Sequence, residues 1–328
     1  MTASTRAEPS SEDLEAQLRR VVDRAIARNI PGLAPLPQTE SELDVDSTPK
    51  ELVYSNATAR LYHYLPTQDQ IYRLSVLIVM QGHDIFMLQW VAPHRDQSHL
   101  SLENYVCDLL SGCIDAVLRD PGETQLTLVG YCMGGMMSCM DSALHPSGAV
   151  KNLACFTTPV NSDGMELYKR SMASKAFDID RQVQALDNIP GDFFNNSLQA
   201  LRPLQRSADQ MKLPNNVDND AFVKAHLRFD RWAVDQMPVP GELAPALKKD
   251  SIVDNKRVHN GLTLRGQRVA LGRVKAPFLH VADQHDHIVP AAASQDLLPM
   301  IGSQDKHEIV MQGGHVALVT GGNAVFRL

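Results

Sequence analysis

The chain predicts an α/β fold: a mostly parallel sheet with helices on both faces and an inserted cap. Three observations carry this. The run Leu126-Thr127-Leu128-Val129-Gly130-Tyr131-Cys132-Met133-Gly134-Gly135 passes from a short β-prone segment straight into G-x-C-x-G-G, and small residues at helical spacing follow. Strand-like apolar runs alternate with helical stretches before residue 160 and again after 270, the pattern of strands joined by crossover helices. Between these limits residues 160–270 are polar and broken by prolines, which fits a lid over the carboxyl edge of the sheet, where ligands bind in open α/β folds.

In chain order, residues 1–11 are polar and read as disordered. Leu14, Leu18, Val21, Val22, Ala25 and Ile26 then recur at helical spacing, an amphipathic helix that ends before Pro31. Residues 31–50, with Pro31, Pro35, Pro37 and Pro49, form a polar linker. Strands are expected at Glu51–Tyr54, Ala59–Tyr64, Val76–Met80 and Ile85–Trp90, then a helix over Leu102–Arg119. The strand ending at the glycine-rich turn follows, and Asn152–Phe156 is another buried strand. The lid contains helical pieces such as Asp220–Asp235, and strands return at Phe278–Ala282 and Glu308–Met311. The expected division is therefore an N-terminal helix and linker over 1–50, a core over 51–159 and 271–328, and a cap over 160–270.

Bulk properties exclude several classes of function. With 328 residues and 44% hydrophobic content, the chain can hold a large core with an insertion. Its 38 acidic against 31 basic residues give a net charge of −7, so it presents no basic field for nucleic acid or an anionic membrane. No run approaches the ~18 apolar residues of a transmembrane helix, and Met1–Ser11 lack the apolar core of a signal peptide. Five cysteines without paired short spacings argue for a reducing compartment and against a disulfide framework or a zinc site. The expectation is a soluble cytoplasmic protein without metal or cofactor.

The glycine-rich turn has the strand–turn–helix context of a nucleophile elbow, with Cys132 at the apex. Such a turn is strained, and side chains two residues to either side, at Gly130 and Gly134, would collide with neighbouring backbone. A thiolate is a strong nucleophile and a good leaving group, which suits acyl transfer through a thioester. A cysteine nucleophile needs a base, and the base needs an orienting group. On the α/β-hydrolase scaffold these follow in the order acid, then histidine, each after a strand. His315, behind Gly313-Gly314 after the last strand, is the best general base among 12 histidines. Asp286 is the best orienting carboxylate, with Asp283 a weaker rival and His287 a neighbour of the acid. Cys139 is expected to be a small buried residue, and Cys107, Cys113 and Cys155 to be core.

These residues, with an ordered series around them, resemble the polyhydroxyalkanoate synthases, also called poly(3-hydroxyalkanoate) polymerases. The resemblance runs from about Thr48 to Leu328. It includes Thr48-Pro49-Lys50-Glu51 with Leu61-Tyr62-His63-Tyr64, the box Gly130–Gly135, and Ser142-Ala143-Leu144-His145-Pro146. It continues through Thr158-Pro159-Val160, Asn188-Ile189-Pro190-Gly191, Trp232, Pro240-Gly241-Glu242, Asp286–Pro290 and Gly313-Gly314-His315. The resemblance implies growth of a polyester from (R)-3-hydroxyacyl-coenzyme A with release of coenzyme A. Cys132 would carry the acyl chain, His315 would activate Cys132 or the incoming 3-hydroxyl, Asp286 would orient it, and the Met133 N–H would be an oxyanion-hole donor. It also implies a homodimer or a second subunit, and a place at the polyester granule surface.

Departures from the family pattern shape the expectation further. Only Gln81-Gly82-His83-Asp84 separate the strands placed at Val76–Met80 and Ile85–Trp90. Parallel neighbours need a crossover of about a dozen or more residues, so a loop with the second oxyanion donor and a helix, on the order of twenty to thirty residues, are missing here. Gln89 stands where the family has aspartate before tryptophan, a tryptophan is lacking near Tyr168-Lys169-Arg170-Ser171, and the sequence stops at Arg327-Leu328 before the family's last helix. Two alternatives follow: an acyl-coenzyme A thioesterase or esterase that passes the acyl group to water, and a degenerate, non-catalytic synthase.

Overall fold

The structure is a computed structural model. It describes residues 49–65, 72–76, 83–119, 124–174, 177–191, 236–259 and 261–318, with Phe193, Asn196, Asn219 and Val223. The helix expected over Leu14–Ile26, most of the linker and the helical piece Asp220–Asp235 lie outside the described residues. Contacts divide the chain into two compact units. One joins Thr48–Leu201 to Met237–Leu328 and the other joins Met1–Ser47 to Arg202–Gln236. Every element below belongs to the first unit.

Its frame is an eight-stranded sheet in the order β1-β2-β4-β3-β5-β6-β9-β10. The strands are β1 Lys50–Asn56, β2 Ala59–Tyr64, β3 Tyr72–Val76, β4 His83–Trp90, β5 Leu126–Tyr131, β6 Val150–Phe156, β9 Phe278–Asp283 and β10 Lys306–Met311. The short pair β7 Thr263–Leu264 and β8 Gln267–Arg268 forms a separate hairpin. An antiparallel hairpin, β1–β2, opens one side of the large sheet, and β2 runs antiparallel to β4. From β4 to β10 every pairing is parallel. The fold class expected from the alternation of strands and helices is thus observed.

Period-2 burial explains how β5 and β6 divide the core. Leu126, Leu128, Leu153 and Cys155 enter the large cluster with Phe278, whereas Val129 and Phe156 enter a smaller one with Val281. Against the large cluster pack Met136, Met137, Cys139, Met140 and Ala143 of the helix Met133–Leu144. Val106, Leu109, Leu110, Cys113 and Ile114 join them from the helical stretch Asn104–Val117, whose first part, Asn104–Leu110, is π-helical. Cys113, Cys139 and Cys155 are buried and Cys107 is half-buried, and all five cysteines are free thiols.

The described part of the third strand is Tyr72–Val76, and β4 begins at His83. Residues 77–82, and with them most of the strand expected over Val76–Met80, lie outside the described residues. The two strands are parallel neighbours.

Candidate active site

β5 delivers Cys132 to the carboxyl end of the sheet. The residue has φ 53° and ψ −117°, in the positive-φ region that non-glycine residues rarely occupy. Its backbone is fixed on both sides, because Cys132 N–H donates to the Phe156 carbonyl at 2.8 Å and Met136 N–H donates to the Cys132 carbonyl at 3.2 Å. The glycines around it crowd as expected in part. A Cβ on Gly130 would lie 2.4 Å from Gly135 Cα, and one on Gly135 would lie 2.0 Å from Thr158 Oγ1. At Gly134 a Cβ would meet nothing within 4 Å. The expected collision there is corrected, since the close approach of turn and helix falls on Gly130 and Gly135.

The loops after β9 and β10 bring Asp286 and His315 together. His315 Nδ1 donates to Asp286 Oδ2 at 2.6 Å, and both side chains are buried. The other oxygen, Asp286 Oδ1, accepts the backbone N–H groups of Ile288 and Val289, each at 2.8 Å. With Nδ1 occupied, Nε2 is the nitrogen left for Cys132, whose side chain acts on the imidazole. Burial lowers the His315 pKa, but the hydrogen bonds to Asp286 and Cys132 and the charges on both outweigh it, and the pKa rises to about 9. The geometry therefore favours an imidazolium beside the cysteine sulfur at neutral pH.

Sequence reasoning missed the residues that hold this arrangement. Asp283, the rejected rival for the acid, does not bond to the imidazole. Its Oδ1 accepts Gly313 N–H at 2.7 Å and His285 N–H at 3.2 Å, tying the β9 loop to the β10 loop two residues before His315. Tyr131, the residue before the nucleophile, donates its hydroxyl to the His315 carbonyl at 2.6 Å, with ring centroids 5.1 Å apart. Burial pushes the Tyr131 and Tyr168 hydroxyl pKa values up, that of Tyr168 to about 12. Position in the motif was the available signal for Tyr131, but nothing in a linear sequence says where its hydroxyl goes. Met133 is the first residue of the elbow helix and is exposed. From the segment after β6, Met165 and Tyr168 pack with Val289 and Ala293 around Cys132. His287 is half-buried.

Chemically, the arrangement offers a cysteine nucleophile, a histidine able to give and take one proton, and a carboxylate that fixes the imidazole tautomer. The model of the α/β-hydrolase fold family matches residues 63–322, and the chain belongs to that family. Within that fold family, the curated relatives it is similar to are poly(3-hydroxyalkanoate) polymerases. Poly(3-hydroxyalkanoate) polymerase subunit PhaC of Haloferax mediterranei is 30% identical over 86% of this chain and 62% of its own length. The PhaC subunit of Allochromatium vinosum is 28% identical, covering 86% of each chain. That of Synechocystis sp. is 29% identical over 78% of this chain and 75% of its own. The chain thus spans about three fifths of the first of these relatives and most of the other two.

Proposed function

We propose that this chain is an acyltransferase that polymerises (R)-3-hydroxyacyl-coenzyme A into polyester through a thioester on Cys132. The observation that carries the reading is the convergence of Cys132, His315 and Asp286 at an elbow of this family. The Cys132 thiolate attacks the thioester carbonyl, and coenzyme A leaves with the proton held on His315 Nε2. Neutral His315 then takes the proton of an incoming 3-hydroxyl, which attacks the Cys132 thioester and frees the sulfur. The lengthened chain, still a coenzyme A thioester, re-acylates Cys132. The N–H of Met133 supports the oxyanion. Asp286 keeps His315 in the productive tautomer.

No cofactor enters this scheme, because coenzyme A belongs to the substrate. The chain works in the cytoplasm at the surface of the polyester, as a homodimer or with a second synthase subunit. Among the described residues no helix is long and apolar enough to cross a membrane.

Mass spectrometry after incubation with 3-hydroxybutyryl-coenzyme A tests the proposal. A covalent 3-hydroxybutyryl adduct on Cys132, absent from Cys132→Ala, together with polymer, is the expected outcome. Coenzyme A release without polymer would favour a thioesterase. A folded chain with no adduct would favour a non-catalytic synthase, to which the short 77–82 link points.

A further inference from the structure

We propose that Tyr131 is a positioning residue for His315, holding the base by its main chain and by its ring so that Nε2 meets each proton partner from one place. Tyr131 ends β5 and directly precedes the nucleophile. Its hydroxyl donates to the His315 carbonyl at 2.6 Å. Its ring lies against the imidazole, with centroids 5.1 Å apart and planes inclined by 53°. One side chain thus holds the base at two points, neither of which is the Nδ1 that Asp286 occupies. Asp286 fixes the tautomer, but a single hydrogen bond at Nδ1 tolerates a broad range of angles, so the ring can pivot about it. The contact with the Tyr131 ring limits that pivot, and the hydroxyl fixes the main chain from which the imidazole hangs.

The hold rests on a firm base. Tyr131 pairs with Phe156 in the sheet, and the next residue, Cys132, donates its N–H to the Phe156 carbonyl at 2.8 Å. The Tyr131 side chain packs against Val129, Phe156 and Val281, in a cluster that Met311 joins from the end of β10. His315 opens the turn His315–Leu318 just beyond that strand. Before it stand Gly313 and Gly314, the residue type that restrains a backbone least. Asp283 anchors this segment at Gly313, and Tyr131 anchors it at His315. In the proposed polymerisation Nε2 exchanges its proton with sulfur in one step and with a hydroxyl oxygen in the next. A general base must stay within hydrogen-bond reach of each, and a displacement of about 1 Å can cost on the order of 10²-fold in rate.

This role rests on the proposed acyl transfer, and its first test needs no acyl substrate. The low-field proton resonance of His315 Nδ1–H, bonded to Asp286, is followed in the full chain of wild type and Tyr131→Phe, together with its rate of exchange with water. Tyr131→Phe keeps the ring and removes the hydroxyl alone. The resonance should broaden, with exchange roughly three- to tenfold faster, the equilibrium worth of one hydrogen bond. A merely structural tyrosine would lower the melting temperature and leave the resonance as it is. In single turnovers with 3-hydroxybutyryl-coenzyme A, formation of the Cys132 adduct should slow by roughly ten- to a hundredfold with little change in half-saturation. An unchanged resonance in folded Tyr131→Phe overturns the proposal, as does weaker substrate binding with an unchanged rate. If Tyr131→Phe does not fold, the wild-type hydroxyl decides. A Tyr131 hydroxyl proton that exchanges slowly and shows a nuclear Overhauser contact with His315 supports the assignment, and one that exchanges freely overturns it. If wild type takes no acyl group, the proposed polymerase activity fails, and the resonance still judges Tyr131.

Discussion

Two backbone N–H groups and one imidazole N–H converge on the Asp286 carboxylate, and its side chain is fully buried. That makes its tautomer control of His315 hard to replace. Asp286→Asn can turn an N–H toward Nδ1 and present the wrong tautomer to Cys132, so acylation from 3-hydroxybutyryl-coenzyme A should fall roughly 10³-fold or more, measured in a single-turnover assay. Asp283 acts differently, through the loop. Its Oδ2 is buried without a partner among the described residues, while Oδ1 holds Gly313 and His285. Asp283→Ala leaves two backbone donors short of an acceptor and should cost on the order of 1–3 kcal/mol in urea denaturation. Asp283→Asn keeps Oδ1 and removes a buried charge, so it should retain most of the stability.

The elbow works as an element because strand, turn and helix press against each other at two glycines. Gly130→Ala drives a methyl group into the backbone at Gly135, 2.4 Å away. The turn must open, and a loss of about 1–3 kcal/mol or more is expected, with Cys132 acylation falling as well. Gly134→Ala meets open space in the first turn of a helix. It should be neutral or stabilise by up to about 1 kcal/mol. Thermal melts of the two variants side by side distinguish crowding from a general need for glycine in the motif. Beside the element, β3 lies parallel to both β4 and β5.

On the scale of the whole molecule, the active site is linked to folding through protons. His315 has a folded pKa raised from 6.5 to about 9, so the folded state holds its proton more tightly than the unfolded chain. Its stabilisation is complete below pH 6.5 and disappears as pH rises through about 9. The difference in melting temperature between wild type and His315→Gln should therefore shrink steadily from pH 6 to pH 10. A difference that grows over that interval would mean that the histidine is neutral in the folded state. The three site residues follow the ends of β5, β9 and β10, which lie in the parallel part of one sheet. A local loss of order in either loop would thus separate the acid and base from the nucleophile while leaving the large core in place.

Much of this was legible in the linear sequence, for identifiable reasons. Apolar runs of strand length marked β5, β6 and β9 to within a few residues, because a strand buried in a parallel sheet is apolar along its length, and β2, β4 and β10 followed from shorter β-prone runs. Cys132, Asp286 and His315 stood out because each follows a strand and is flanked by turn residues. Tertiary structure alone decided the rest. Asp283 and Asp286, three residues apart, were separated into a loop tie and a histidine partner by which backbone N–H groups each could reach. The burial of Arg257 was invisible in a stretch that reads Asp254-Asn255-Lys256-Arg257 and looks like solvated charge. Sequence fixes which groups the chain owns and the order in which strands present them. Only the packed fold determines which of those groups lose water, and with it the charges and partners they must find.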